Sequence, residues 1–400
     1  MMFRTIIVLL FLSLQIEAKQ DTQALKYLNE IRNHSGLTPL RVNTQLGEAA
    51  KSHASYLVRQ QKNGHFEKRG WKGYTGKTPS DRVVKAGYLS KMVMENVTVN
   101  SQSFQHSIDT LFAAIYHRFV FLNFDKDEIG LGSASTKKSK RIHSAFIYNI
   151  GSSEIAKLCK GYYPKQNGFF YMQNLCKDAS IEVPEYMIQQ IQSNIRAKNS
   201  SIILYPYKNA TDISPVFYTE SPHPLPGSKV SGFPISVQFN PSSYTSVTLK
   251  KFRLYDDKGK EITKRKIVTQ NSDKNNRFGA LEFAFMPLKR LKYGTKYHAV
   301  FEAIAEGKKV KKSWYFTTKK PKGKLYTITK KQTTIKVKKG DKIILYFEPK
   351  SNQDILGHIK YWGRLNIKHI DKNTISLTIP KPPPSRGYSV STGGMKVVFK

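Results

Sequence analysis

The sequence predicts an α+β protein, with a helix-led N-terminal region followed by an all-β C-terminal half. Three observations carry this. Apolar residues recur at helical spacing through roughly the first 120 residues after the start. Period-two alternation takes over from Gly232 onward. Between them, Tyr205 to Pro234 is dense in Pro, as in Ser221-Pro222-His223-Pro224-Leu225-Pro226-Gly227, which leaves few helical options.

The chain begins with a targeting signal. Met1 to Arg4 form a short basic stretch, Thr5 to Ile16 an apolar run, and Glu17-Ala18 a small-residue cleavage point, so residues 1–18 read as a signal peptide. The run is too short to span a bilayer, and no later segment is apolar enough to do so, so a secreted or periplasmic, non-transmembrane protein is expected.

Residues 21–35 read as a helix with Ala24, Leu25, Leu28 and Ile31 on one face, stopped by Gly36. Thr44 to Lys62 read as a second helix burying Leu46, Ala50, His53, Ala54 and Leu57, with Asn63-Gly64 as its end. His53 on that face reads as a satisfied core histidine. Residues 66–77, rich in Gly, Lys and aromatics, form a loop. Thr78-Pro79-Ser80-Asp81 has the form of a capping box with Pro at the first helical position, which accounts for Ser80 and Asp81. A continuous helix is expected from Ser103, its cap, to Arg118, followed by strands over Glu128–Ala134 and His143–Ile150. Arg118 is expected to pair with Asp125 or Asp127.

Residues 153–204 read as a linker with a cysteine loop and a weakly amphipathic helix over Val183–Arg196. The two cysteines, Cys159 and Cys176, are expected to pair in an oxidising compartment. A two-thiol metal site is the competing reading, and it lacks nearby His or Cys to complete four ligands. Alternating residues such as Ile235, Val237, Phe239, then Tyr297, Ala299, Phe301 and Trp314 to Thr318, predict a β-sandwich over 205–320. A second alternating set predicts a small β domain over 322–400.

Lys and Arg number 66 against 28 Asp and Glu, for a formal net charge of +38. Such a charge attracts anionic partners, here an anionic cell-envelope polymer or lipid. Lysines are spread along the chain and no nucleic-acid motif appears, so a specific nucleic-acid reader is not expected. No nucleophile elbow or phosphate-cradling Gly loop is present.

Three polar residues are not demanded by helix or strand grammar: His65, Glu95 and His117. Two imidazoles and a carboxylate can bind a divalent metal such as Zn²⁺, or do acid–base work.

The order of segments resembles the bacterial branch of the CAP (SCP-like) superfamily over roughly residues 22–150, and residues 22–152 are assigned to that domain. Ala24 to Arg32, Leu37-Thr38-Pro39-Leu40, Ala49 to Ala54, Thr78 to Tyr88, Glu95-Asn96, Tyr116-His117-Arg118 and Glu128-Ile129-Gly130-Leu131-Gly132 carry the resemblance. It implies an α-β-α sandwich with a cleft that commonly holds two His and two acidic residues, sometimes with Zn²⁺. His65, Glu95 and His117 fall on three of those positions. The fourth falls near Ala114, which can neither ligate nor exchange a proton, and Met94 replaces the usual Gly before Glu95. Asn96 is expected to bond backbone groups. The region 205–320 resembles bacterial immunoglobulin-like modules. The function expected is that of an exported envelope-binding protein, its cleft holding a metal ion or a small hydrophobic or glycan ligand. The alternative is a metal- or His-dependent hydrolase acting on peptide or cell wall.

Overall fold

The structure is a computed structural model that describes residues 22–138 and 141–400. Residues 1–18, expected to be a signal peptide, lie outside the described residues. Among those described, no helix is long and apolar enough to cross a membrane.

The N-terminal region runs α1 (22–34), β1 (Arg41–Val42), α2 (Thr44–Gln60), α3 (Pro79–Lys85), β2 (Met94–Val99), α4 (Phe104–Ala113), α5 (Ile115–Phe121), β3 (Glu128–Ser135) and β4 (Ser144–Gly151). Its sheet has the order β1-β3-β4-β2, with β3 and β4 antiparallel and β1 parallel to β3. Asn43 caps α2 by accepting from Leu46 N–H, and Gln61 in the left-handed conformation (φ 57°) ends it, two residues before the expected stop at Asn63-Gly64. The five residues expected on its apolar face are all buried. Gly130 and Gly132 explain how closely α2 lies on β3. A Cβ at Gly130 would meet Gly47 N at 2.0 Å, and one at Gly132 would meet Lys51 N at 2.2 Å. Asn29 exchanges hydrogen bonds with the Leu40 backbone in both directions, and buried Arg32 donates to Phe121 O at 2.6 Å, which ties α1 to the rest.

Two expectations need correction here. Met94–Val99 is a strand that the sequence reading passed over, because its register buries Asn96 and Glu95 as well as Val97. The expected helix from Ser103 to Arg118 is broken at Ala114, whose backbone is extended (φ −89°, ψ 112°) between α4 and α5. Ser103 caps α4 as expected, and α3 carries the full capping box between Thr78 and Asp81.

Residues 153–204 form no free linker. They contain α6 (Ser153–Leu158), the short pair β5 (Tyr171–Met172) and β6 (Val183–Pro184), and α7 (Glu185–Arg196). Cys159 and Cys176 are disulfide-bonded with their Cα atoms 5.3 Å apart, as the oxidising-compartment reading expects. Arg196 on α7 grips Asp125 with both nitrogens, and Asn199 bonds Thr38 and Phe124 O. Replacing both cysteines by serine should lower stability by about 3 kcal/mol, since the bridge spans 17 positions of chain. Urea denaturation with and without the bridge measures it, and a loss below about 1 kcal/mol would show that docking of α7 alone orders the segment.

The C-terminal half is all-β. Its first unit pairs a sheet β13-β14-β11-β7 with a sheet β12-β15-β16-β8. These strands are β7 (Ile202–Tyr205), β8 (Ala210–Ile213), β11 (Ile235–Phe239), β12 (Val247–Tyr255), β13 (Arg265–Val268), β14 (Glu282–Pro287), β15 (Lys296–Ala305) and β16 (Lys308–Thr318), with the small pair β9 (Val216–Phe217) and β10 (Ser231–Gly232) beside them. Rings from the two sheets meet between them, Phe239 with Phe301 at 5.8 Å and Phe252 with Phe285 at 5.7 Å. This core is continuous with that of the N-terminal region through Leu111, Phe112, Tyr205 and Phe233. Phe112 and Tyr205 lie 4.8 Å apart, ring to ring.

The second unit is also a two-sheet sandwich, β17-β19-β22-β21 over β18-β24-β23-β20. Its strands are β17 (Lys324–Ile328), β18 (Gln332–Ile335), β19 (Lys342–Phe347), β20 (Lys360–Trp362), β21 (Asn366–Asp371), β22 (Thr374–Thr378), β23 (Tyr388–Thr392) and β24 (Met395–Phe399). It has a separate apolar core around Leu345, Ile375 and Val397. Arg290 of the first sandwich pairs with Asp371 of the second at 2.7 Å and lies over the Tyr293 and Tyr346 rings.

Candidate functional site

The three residues singled out from the sequence come together, and each has a carboxylate or a cation as neighbour. His65, in the loop after α2, places Nδ1 2.9 Å from Glu95 Oε1 on β2. The other Glu95 oxygen accepts from Arg82 NH2 at 2.7 Å. Arg82, fully buried on α3, also donates to His65 O at 2.9 Å and so ties the loop to the strand. Burial alone would push the Glu95 carboxyl up. The His65 hydrogen bond, the Arg82 charge and nearby His53 outweigh it and hold the group below the usual carboxylate range.

His53 is satisfied within the core, as expected for its apolar helix face. Its Nδ1 lies 2.9 Å from Glu67 Oε1 and its Nε2 3.0 Å from Gly64 O. Glu67 was not anticipated, because it lies in a loop that reads as solvent-exposed from its Gly, Lys and aromatic content. It is fully buried as a side chain, takes backbone N–H groups from Thr75 and Gly76, and stands 4.0 Å from Arg82 Nε. Burial raises its pKa, and the hydrogen bonds from His53 and Thr75 bring it below the ordinary value.

The break at Ala114 shapes the other half of the site. A helix start leaves its first N–H groups without partners. Ala114 has no side-chain oxygen to cap α5, and Glu220, beyond β9 in the C-terminal half, does so instead. Its Oε1 accepts from Ile115 N–H at 2.8 Å, and its Oε2 accepts from Tyr116 N–H at 3.1 Å and faces His117 Nδ1 at 2.9 Å. The carboxylate absent from position 114 is thus present beside His117, brought from a segment more than 100 residues away. One sequence signal could have drawn attention to it: Glu220 is the sole acidic residue between Asp212 and Asp256. Asn96 donates to His117 O at 2.9 Å, the backbone role expected of it.

His65 and His117 stand with nearly parallel rings, 6.5 Å between centroids. An ionised carboxylate only accepts, so each Nδ1 carries the proton and each Nε2 is left on the opposite ring edge. As for the Zn²⁺ expectation, both Glu95 oxygens and both Glu220 oxygens are engaged within the protein. That leaves two imidazole nitrogens, and a Zn²⁺ site takes three or four protein ligands. Among the described residues no group of three or more His, Cys, Asp or Glu is placed to hold a metal ion.

Arg118 corrects a further expectation. It makes no contact with Asp125 or Asp127. It donates instead to Phe112 O at 2.7 Å, Ser236 Oγ at 3.0 Å and Pro234 O at 2.8 Å, and its guanidinium lies 4.8 Å from both the Tyr205 and Phe233 rings. Asp125 is held by Arg196, and Asp127 by Arg41 and Ser153.

Comparison with known proteins agrees with this frame. Residues 25–148 match the family model described as CAP, the cysteine-rich secretory protein family. No curated protein sequence matches the chain. Among solved structures, an extracellular protein containing an SCP domain from Bacillus anthracis aligns at 18% identity and TM-score 0.29, over 34% of this chain and 41% of that one. An outer surface protein from Borrelia burgdorferi aligns at 21% identity and TM-score 0.28, over 34% of this chain and 93% of that one. A cysteine-rich secretory protein from Staphylococcus aureus aligns at 21% identity and TM-score 0.24, over 33% of this chain and 39% of that one. The chain therefore spans about two-fifths of the Bacillus and Staphylococcus proteins. Residues 25–148 thus match the CAP domain of the cysteine-rich secretory protein family, and after them the chain carries α6 and α7 and then, from Ile202 on, β-strands alone among its regular elements.

Proposed function

We propose that this is an exported envelope-binding protein whose cleft recognises a small ligand through the Nε2 atoms of His65 and His117. The observation that carries the reading is the pair of Nδ1–carboxylate bonds, His65 to Glu95 and His117 to Glu220, both 2.9 Å. Such a bond fixes the tautomer and orientation of the ring and leaves Nε2 as an acceptor for a ligand donor or a metal ion. The carboxylates themselves are committed to Arg82 and to the start of α5, so they orient the rings rather than meet the ligand. The basic β-half would hold the molecule on anionic envelope polymer. Residues 322–400 carry seventeen Lys and Arg against four Asp and Glu, an imbalance that favours polyanions. Export is supported by the apolar N-terminal run and by the match of residues 25–148 to the cysteine-rich secretory protein family model.

Calorimetric titration with Zn²⁺ at neutral pH, beside a His65→Ala/His117→Ala variant, tests the imidazole pair. Binding by the wild type that the variant loses supports the cleft as a cation-accepting site, and equal binding by both would place any metal elsewhere. One observation favours the hydrolase reading: Glu220 gives His117 the carboxylate partner of a His-based general base. Cleavage of a peptide or cell-wall substrate by the wild type, abolished by His117→Ala, would replace the binding reading with that one.

A further inference from the structure

The Cys159–Cys176 loop and the start of α7 beside it expose aromatic rings that the fold does not use. Tyr162 is 88% exposed, Phe170 81%, Tyr186 51% and Phe169 49%. Most other large side chains of the chain's 44 Phe and Tyr are partly or wholly buried, so four exposed rings within 25 positions of sequence set this segment apart. Phe169 and Tyr186 touch, ring centroids 5.4 Å apart, and Phe170 O accepts from Glu185 N–H at 2.9 Å, which brings Phe169, Phe170 and Tyr186 to one edge.

The loop that carries them is held rigid. The disulfide closes it, Tyr163 donates to Leu158 O, and Tyr171 donates to Pro164 O and accepts from Gln166 N–H. Beneath it a small core of Ile155, Leu175, Val183 and Ile188 anchors the base. Rings exposed on such a frame lose little conformational freedom on insertion into another phase. From residue 159 to 176 the loop contains Lys160 and Lys165 and no acidic residue; Lys177 and Asp178 follow it, and Glu185 precedes Tyr186. Glu182 pairs with Lys165 from outside the loop, while Lys160 and Lys177 make no ion pair among the described residues.

We propose that this loop docks the protein on an anionic phospholipid bilayer, with Phe169, Phe170 and Tyr186 seated at the interface and the lysines on headgroups. Aromatic rings with one apolar body favour the headgroup level, and lysines beside them add attraction to anionic lipid. A net charge of +38 brings the molecule to such a surface, and the rings supply the part of the binding that salt does not screen. The site lies outside the His65–His117 cleft and on a different unit from the basic β-half, so it stands or falls separately from the function proposed above.

Sedimentation with vesicles of phosphatidylglycerol and phosphatidylethanolamine, at about 0.15 M salt, tests it. The wild type should bind, and a Phe169→Ser/Phe170→Ser variant should partition at least about tenfold more weakly. Both rings are exposed, so the variant should keep the wild-type unfolding midpoint. A Phe170→Trp variant should gain emission that lipids brominated in the acyl chains quench. Failure of the wild type to bind overturns the proposal. So does equal binding by the serine variant, which would assign attachment to the lysine-rich surface alone, or a tryptophan at position 170 that brominated lipid leaves unquenched.

Discussion

Arg118→Met should lower stability by about 3 to 5 kcal/mol, among the largest effects of any single substitution in the chain. The guanidinium is fully buried and has no carboxylate partner. Burial is the main influence on it and lowers its pKa to about 9, so it stays charged at neutral pH. What holds a bare cation inside is a set of oriented acceptors, Phe112 O, Ser236 Oγ and Pro234 O, and two ring faces. Methionine fills much of the volume and leaves those carbonyls without donors. Arg118→Lys should fall between, because an ammonium cannot present the planar fork that three separated acceptors require. Urea denaturation gives the free energies, and a methionine variant within about 1 kcal/mol of wild type would mean that apolar contact alone joins the two units.

Arg82→Ala should cost a similar amount, about 3 to 5 kcal/mol, by leaving Glu95 buried without its cation. It also carries a pH signature. Glu67 and Glu95 both sit below the ordinary carboxylate range in the folded protein. A carboxyl with a depressed folded pKa contributes stability that is fully present above the unfolded value, about 4.3, and is lost as pH falls through the folded one. The wild type should therefore hold its unfolding midpoint from neutrality down to about pH 5 and lose it below. In Arg82→Ala the burial of Glu95 is no longer offset by that charge, and the acid loss should begin at higher pH. Thermal melts across this range decide the matter. Parallel pH profiles for the two proteins would show that Arg82 does not set the Glu95 equilibrium.

The sequence reading and the structure part company in instructive places. Helix α2 was legible because its apolar face repeats strictly, and α3 because Thr78, Pro79 and Asp81 are a local capping signal that needs no tertiary partner. The β-half was legible from alternation, with Ile235 to Phe239 in β11, Tyr297 to Phe301 in β15 and Trp314 to Thr318 in β16. Strand β2 was not, since its buried residues include Glu95 and Asn96, whose partners Arg82, His65 and His117 lie elsewhere in the chain. The break at Ala114 was hidden for the same reason. Nothing within Phe104–Phe121 marks it, and Glu220, which satisfies the freed N–H groups, is about 100 residues downstream. Of the site, the two His and Glu95 could be picked out by type and order, while Glu67 and Glu220 become functional neighbours only once the chain is folded.

The position of Glu220 bears on how this protein could be taken apart or recombined. Although the family match ends at residue 148, a piece cut there would lose the carboxylate beside His117 and the Tyr205 and Phe233 faces under Arg118. It would keep His65 with Glu95 intact and leave His117 on an uncapped helix end. The sequence boundary of the domain and the physical boundary of its histidine–carboxylate set are therefore different lines. Grafting the CAP segment alone onto another scaffold would transfer half a site, and swapping the β-half between relatives would exchange part of the cleft along with it.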